Sequence, residues 1–204
     1  MSEDRKSLRS TRGFTSIRGA AENPTNFPRL EGRRREIYIF RSADAFYEAS
    51  LLAANRTRTT ENQAQKFNLG LVYGTNGAFA AELYLKCLLS IECKPVPKSH
   101  DLQRLYLELS PESRAKLRKR HDELAKDNAT LSEFRKRFGI KTDLESLLED
   151  GKDVFTQFRY LFGGIRGRTK GLGFLLELFG QVLRNRILDL RPEWLSNECT
   201  SPTD

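Results

Sequence analysis

A glycine-rich segment late in the chain combines backbone freedom with positive charge. Residues 158–173, FRYLFGGIRGRTKGLG, contain five glycines, four cations and no acidic residue. Backbone N–H groups of a glycine-rich loop that leads into a helix can bind a phosphate, and Arg166, Arg168 and Lys170 would add charge. The segment lacks the GK[ST] ending and the preceding strand of a Walker motif. It therefore indicates either a phosphate contact or a solvated corner between two helices.

A second group of polar residues lies on a segment that is otherwise apolar. In AFAAELYLKCLLSI, residues 78–91, the plainly polar residues Glu82, Lys86 and Ser90 are spaced by four, which places them in one stripe along a helix. A buried carboxylate needs a cationic partner. We therefore expect Glu82 to pair with Lys86 one turn away, or with a cation from another helix.

Arg159 is our preferred cation for such a pair. It lies among aromatic and aliphatic residues, where a solvated arginine would be unusual. A pair between Arg159 and Glu82 would hold two helices in register. The alternative is that Arg159 faces a groove and contacts phosphate.

The elements that position these residues are predicted to be helices. Pro95 and Pro97 end the apolar helix, Ser99 or Asp101 caps the next one, and Pro192 ends the last. No internal repeat, heptad array or long strand alternation is present. The sequence therefore predicts an all-α antiparallel bundle of four to six helices. Helical patterns cover residues 37–55, 78–91, 101–109, 111–141, the segment that begins at Asp143, and 172–190.

Composition divides the 204-residue chain into an arm, one domain and a tail. Residues 1–36 are basic, without apolar period, and are predicted to be a flexible arm. Residues 37–192 form the predicted bundle, and residues 193–204 a disordered tail. The net charge of +8 favours acidic partners such as nucleic acid.

Three cysteines without metal-ligand spacing predict a reducing, cytoplasmic setting and no metal site. No apolar run reaches the roughly 20 residues that a bilayer crossing requires, so no membrane contact is expected. The spacing of the apolar residues also suggests no cofactor site.

Three segments in order, AFAAELYLKCLL, SHDLQRLYLEL and FTQFRYLF ahead of a long last helix, give the chain a family resemblance. It resembles the HEPN superfamily over about residues 37–190. This resemblance implies a helical bundle that usually dimerises, and a role in RNA cleavage, defence, toxin–antitoxin systems or non-catalytic nucleotide binding.

The catalytic signature of that family is an Arg and a His four to six residues apart near the start of the last core helix. Arg159 matches the Arg, but no histidine follows at that interval. The resemblance thus makes Arg159 a candidate for holding phosphate charge, and leaves His100 as the candidate for proton transfer. The other histidine, His121, lies in the charged stretch RKRHDEL and is predicted to face solvent.

We therefore expect a degenerate, non-catalytic HEPN-like protein that binds RNA, a nucleotide or a protein partner, as a homodimer, in a stress, defence or toxin–antitoxin setting. One alternative is an active, metal-independent endoribonuclease. Another is a docking scaffold in which basic residues 111–141 and acidic residues 143–153 mediate association.

Overall fold

The computed structural model describes residues 33–139, 141–152 and 172–195, and every regular element in these ranges is a helix. The predicted all-α class is confirmed. Seven α-helices are present in these ranges, above the four to six predicted, because the predicted helical pattern 111–141 divides at Asn128 into two helices. They are α1 (Arg33–Thr59), α2 (Gln63–Ile91), α3 (Leu102–Leu107), α4 (Pro111–Asp127), α5 (Ala129–Phe138), α6 (Leu144–Gly151) and α7 (Leu172–Leu190), and a 3₁₀ turn follows at Pro192–Trp194.

Helices α1 and α2 form a long antiparallel pair. The polar stretch NRTRTTENQAQ, residues 55–65, is mostly helical. Helix α1 continues to Thr59, and α2 begins at Gln63. Asn62 caps α2, and its side-chain oxygen accepts a hydrogen bond from the backbone N–H of Gln65 at 3.0 Å. With 29 residues, α2 spans about 44 Å at 1.5 Å per residue.

The second half of α2 lies at the centre of the core. It contacts α1, α3 and α7, and its residues are apolar on most sides, as expected for a helix surrounded by others. Side chains of α1, α3, α4, α6 and α7 complete the cluster. The fully buried members from α2 include Ala78, Ala81, Tyr84, Leu85, Leu88 and Leu89.

Two glycines let the long helices approach closely. A Cβ on Gly180 of α7 would lie 2.5 Å from Tyr47 Cε2 of α1. A Cβ on Gly77 of α2 would lie 2.9 Å from Ser50 Oγ and 3.2 Å from Leu176 Cβ. A Cβ at 2.5 Å or 2.9 Å would force its neighbour to move, so these two glycines allow the close approach of α1, α2 and α7.

Short polar residues begin the next helices, as the sequence signals predict. Asp101 rather than Ser99 caps α3, and Ser110 caps α4 with Pro111 in the first turn. Asp143 caps α6 by accepting from the Ser146 N–H at 2.9 Å. These caps satisfy backbone donors that a helix start would otherwise leave unpaired.

Helical structure extends past both predicted boundaries of the bundle. Helix α1 begins at Arg33, and Glu36, assigned to the arm, is buried. Trp194, assigned to the tail, packs against Phe40 with ring centroids 5.3 Å apart. None of the helices in the described ranges combines the length and hydropathy needed to cross a membrane.

Candidate functional site

The polar stripe of α2 contains a buried carboxylate that contacts a lysine and a histidine. The Glu82 side chain is 2% exposed. Its Oε1 accepts a hydrogen bond from Lys86 Nζ at 2.6 Å, and its Oε2 lies 2.9 Å from His100 Nδ1. Lys86 is one of the two kinds of partner that the sequence predicts.

His100 lies in the segment between α2 and α3, on the surface above Glu82. Its side chain is 54% exposed, while the carboxylate beneath it is almost fully buried. A buried carboxylate of this kind fixes the orientation of an imidazole ring. The other predicted site residues, Arg159, Arg166, Arg168 and Lys170, lie outside the described residues.

Ser90, the third residue of the stripe, belongs to a different network. Its Oγ lies 3.5 Å from Glu36 Oε1, and Arg191 Nη2 lies 3.9 Å from Glu36 Oε2. The nearby Cys87 is buried, and burial followed by the charge of Glu36 raises the pKa of its thiol to about 12. The polar stripe thus takes part in two separate networks, one around Glu82 and one around Glu36. The Cys87 thiol stays protonated at neutral pH.

A cleft of about 810 Å³ lies between α4 and α7. Its lining carries five cations and two carboxylates, so its net charge is positive. The α4 residues Lys116, Lys119, Arg120 and Glu123 are at positions i, i+3, i+4 and i+7, which places them on one face of the helix. The α7 side supplies Arg184, Asn185, Arg186 and Asp189.

Arg184 is held at the edge of this cleft by contacts with α1. Its Nε lies 3.1 Å and 3.2 Å from the two carboxylate oxygens of Asp44, and its guanidinium carbon is 5.9 Å from the Phe40 ring centroid. Asp44 also accepts a hydrogen bond from the Tyr84 hydroxyl at 2.5 Å. Burial, then this contact with Asp44, raises the pKa of Tyr84. The network therefore keeps Arg184 in a defined position.

Arg186 is held at the start of α4. Its Nη2 donates to Ser113 Oγ at 3.4 Å, while its Nε is buried without a hydrogen-bond partner among the described residues. Glu92 lies behind Ser113 and accepts from the Ser110 N–H and hydroxyl, each at 2.8 Å. Burial acts to raise the pKa of Glu92, but the hydrogen bonds from Ser113 and Ser110 outweigh it and the pKa is lowered.

His121 is buried, contrary to the prediction that it faces solvent. Its side chain is 0% exposed, and Nδ1 lies 3.1 Å from Asp122 Oδ1. Burial lowers the pKa of His121, although Asp122 acts in the opposite direction. The prediction was wrong because His121 follows Ser113 and Leu117 by multiples of four and shares their inward face.

The basic and acidic segments that the scaffold alternative requires meet within one chain. Helices α4 and α6 pack together, and Arg118 Nη1 lies 3.1 Å from Glu145 Oε1. Asp122 of α4 also accepts from the backbone N–H of Leu144 at 3.0 Å, at the start of α6. Part of the charge complementarity is therefore already used inside the chain.

Sequence reasoning missed the α4–α7 cleft. The spacing of Lys116, Lys119 and Arg120 marks a cationic face on α4, and that signal was available. Nothing in the sequence shows that Arg186, 66 positions beyond Arg120, lies opposite that face.

In comparisons with known proteins, no family model, curated protein or solved structure matches this chain. Within the described ranges, no group of three or more His, Cys, Asp or Glu side chains is arranged to hold a metal ion.

Proposed function

We propose that this chain is a HEPN-like helical-bundle protein that binds RNA without cleaving it, in a stress, defence or toxin–antitoxin setting. The observation that carries the RNA-binding proposal is the α4–α7 cleft, where cations from two helices converge on one volume. The net charge of +8 adds a long-range attraction for polyanions. The family assignment depends on the sequence resemblance alone.

Arginine and lysine differ in what they offer to RNA. Arg184 and Arg186 are positioned by Asp44 and Ser113, so little conformational entropy is lost when they contact a phosphate. Lys119 is exposed and has no acidic partner among the described residues, so it can follow a ligand of variable shape. The anchored arginines of α7 and the exposed Lys119 of α4 can therefore both contact a phosphate backbone.

The test is RNA binding by filter retention at low salt, with matched charge changes inside and outside the cleft. Lys119→Gln combined with Arg186→Gln removes two cleft cations. Lys126→Gln combined with Lys136→Gln removes two exposed cations of α4 and α5 outside the cleft. We expect the first pair to weaken binding about tenfold or more, and the second pair to change it much less.

Equal weakening by both pairs would mean that general charge, rather than the cleft, attracts the RNA. Absence of RNA retention at low salt by the unmodified protein would overturn the proposed function.

A nuclease is the second candidate, because His100 is oriented by the buried carboxylate of Glu82. In this alternative, His100 would accept the proton of a ribose 2′-hydroxyl, whose oxygen attacks the adjacent phosphorus while Arg159 holds the phosphorane charge. The bond from phosphorus to the 5′-oxygen of the next nucleotide then breaks, which leaves a 2′,3′-cyclic phosphate, and the departing oxygen takes a proton from water. Incubation of labelled RNA with EDTA distinguishes the two candidates. Cleavage that is lost in both His100→Gln and Arg159→Ala would favour the nuclease, and intact RNA the binding protein.

A further inference from the structure

The α4–α7 cleft has an aliphatic wall that contact with a phosphate backbone does not explain. Leu195, directly after the 3₁₀ turn, is 56% exposed, and Pro192 is exposed as well. The buried side chains of Leu117, Val182 and Leu188 also contribute to the lining. Contacts with phosphates are mainly polar, whereas exposed apolar surface beside polar residues is typical of sites that bind another protein.

Three of these apolar residues follow one another at helical spacing. Leu188, Pro192 and Leu195 are separated by four and three positions, and all three line the cleft. They therefore form one apolar row along the α7 side. An amphipathic helix that lies in a groove presents its own apolar side chains at the same three- and four-residue spacing. The row thus offers contacts to about two turns of such a helix.

Cations line the same cleft and select the charge of what can enter it. Lys116, Lys119 and Arg120 lie on one face of α4, and Arg186 lines the cleft from α7. Among the described residues, Lys119 makes no ion pair, and Arg186 contacts the Ser113 hydroxyl rather than a carboxylate. Carboxylates of a partner can pair with both side chains, and the arginine fork matches a carboxylate in geometry.

We propose that the α4–α7 cleft docks an acidic amphipathic helix of a protein partner. Its apolar side chains pack on the row formed by Leu188, Pro192 and Leu195, and its carboxylates pair with Lys119 and Arg186. Those two cations are also the ones that we assign to RNA, so the docked helix excludes RNA from the cleft. This exclusion rests on the proposed function, whereas the docking of the helix does not.

The experiment measures binding of a fluorescent peptide to the full chain by anisotropy. In a probe of about 16 residues, leucines recur every three to four positions, and glutamates and alanines fill the others. The control peptide has the same composition in scrambled order, so it keeps the charge and loses the apolar stripe. We expect the patterned peptide to bind at least about tenfold more tightly. Equal binding of both peptides would show that charge alone attracts them and would overturn the inference.

Two leucines of similar exposure provide a matched pair of variants. Leu195, inside the cleft, is 56% exposed, and Leu107, on α3 outside it, is 54% exposed. Leu195→Gln should weaken binding of the patterned peptide about fivefold or more, and Leu107→Gln should change it much less. Lys119→Gln should weaken both the peptide and RNA, whereas Leu195→Gln should affect the peptide alone. Peptide binding that neither cleft variant weakens would overturn the inference.

A second copy of this chain is the other protein that could cover the apolar row. Sedimentation of the full chain without peptide tests this occupant. Self-association that is lost in Leu195→Gln and kept in Leu107→Gln would assign the row to a second copy and overturn the inference. A monomer in all three cases would support a separate partner.

Displacement of RNA by the patterned peptide separates the inference from the proposed function. We expect the peptide to release RNA in the filter assay. RNA that stays bound while the peptide also binds would refute the exclusion and leave the RNA-binding proposal standing. Peptide binding by a chain that retains no RNA at low salt would support the docking groove and refute the proposed function.

Discussion

At the scale of single residues, Glu82 shows how one buried carboxylate constrains the side chains around it. Both of its carboxylate oxygens are engaged, one by Lys86 of the same helix and one by His100 from the next segment. One contact within α2 and one contact from a separate segment thus satisfy the same carboxylate. The arrangement anchors the segment before α3 to the central helix, whether or not His100 also acts on a ligand.

We predict that Glu82→Gln lowers the free energy of unfolding by about 1–3 kcal/mol, because it leaves buried polar groups with poorer partners. The cost should remain in that range since Lys86 and His100, with side chains 18% and 54% exposed, can still reach water. Urea denaturation provides the measurement. Glu133→Gln, an exposed change on α5, is the control and should have almost no effect. Identical midpoints for the two variants would contradict the structural role of Glu82.

His121 gives a pH dependence whose sign follows from its burial. Its pKa is lowered in the folded state below the value of about 6.5 of an unfolded chain. The folded protein therefore binds fewer protons than the unfolded chain below that pH, and acidification removes stability. We predict that the free energy of unfolding falls as the pH is lowered from about 7 to about 5. The carboxylates Glu92 and Asp143 have lowered pKa values and take up protons only below this range.

The measurement is a series of urea denaturation curves across that range for the unmodified protein, His121→Gln and His100→Gln. The loss of stability should shrink in His121→Gln and persist in His100→Gln. These are the two histidines of the chain, so the opposite result would assign the effect to His100.

At the scale of secondary-structure elements, the contacts between α1, α2 and α7 depend on glycine. The Tyr47 ring lies directly over Gly180, and its hydroxyl donates to the Glu177 carbonyl oxygen at 2.8 Å. The ring therefore cannot move away without losing a hydrogen bond. Gly70 of α2 offers a contrast, because a Cβ there would meet nothing within 4 Å.

We predict opposite effects of two chemically identical substitutions. Gly180→Ala should destabilise the protein by about 1–3 kcal/mol through overpacking against Tyr47. Gly70→Ala should stabilise it by up to about 1 kcal/mol, because alanine is the better helix former and space is available. Thermal denaturation of both variants checks the pair. Stabilisation by Gly180→Ala would show that α1 and α7 do not approach as closely as described.

The charge of the whole molecule sets how binding responds to salt. If RNA contacts three to five cations in and around the cleft, the logarithm of the association constant should fall with the logarithm of salt concentration, with a slope of about −2 to −3.5. Removing Lys119 and Arg186 together should reduce that slope by about 1 to 1.5. Filter binding between about 50 and 300 mM salt gives the slope. A slope unchanged by the double variant would place the phosphate contacts elsewhere.

The sequence by itself determined the all-helical class, a cap at Ser99 or Asp101, the start of a helix at Asp143, and the limits of α7. These features depend on signals that act within one helical turn, between residues three or four positions apart. Only the tertiary structure decided that His121 is buried, that His100 shares Glu82 with Lys86, and that α4 and α7 enclose a basic cleft. Those facts depend on which faces of separate helices meet, and packing between residues tens of positions apart leaves no local signal in the chain.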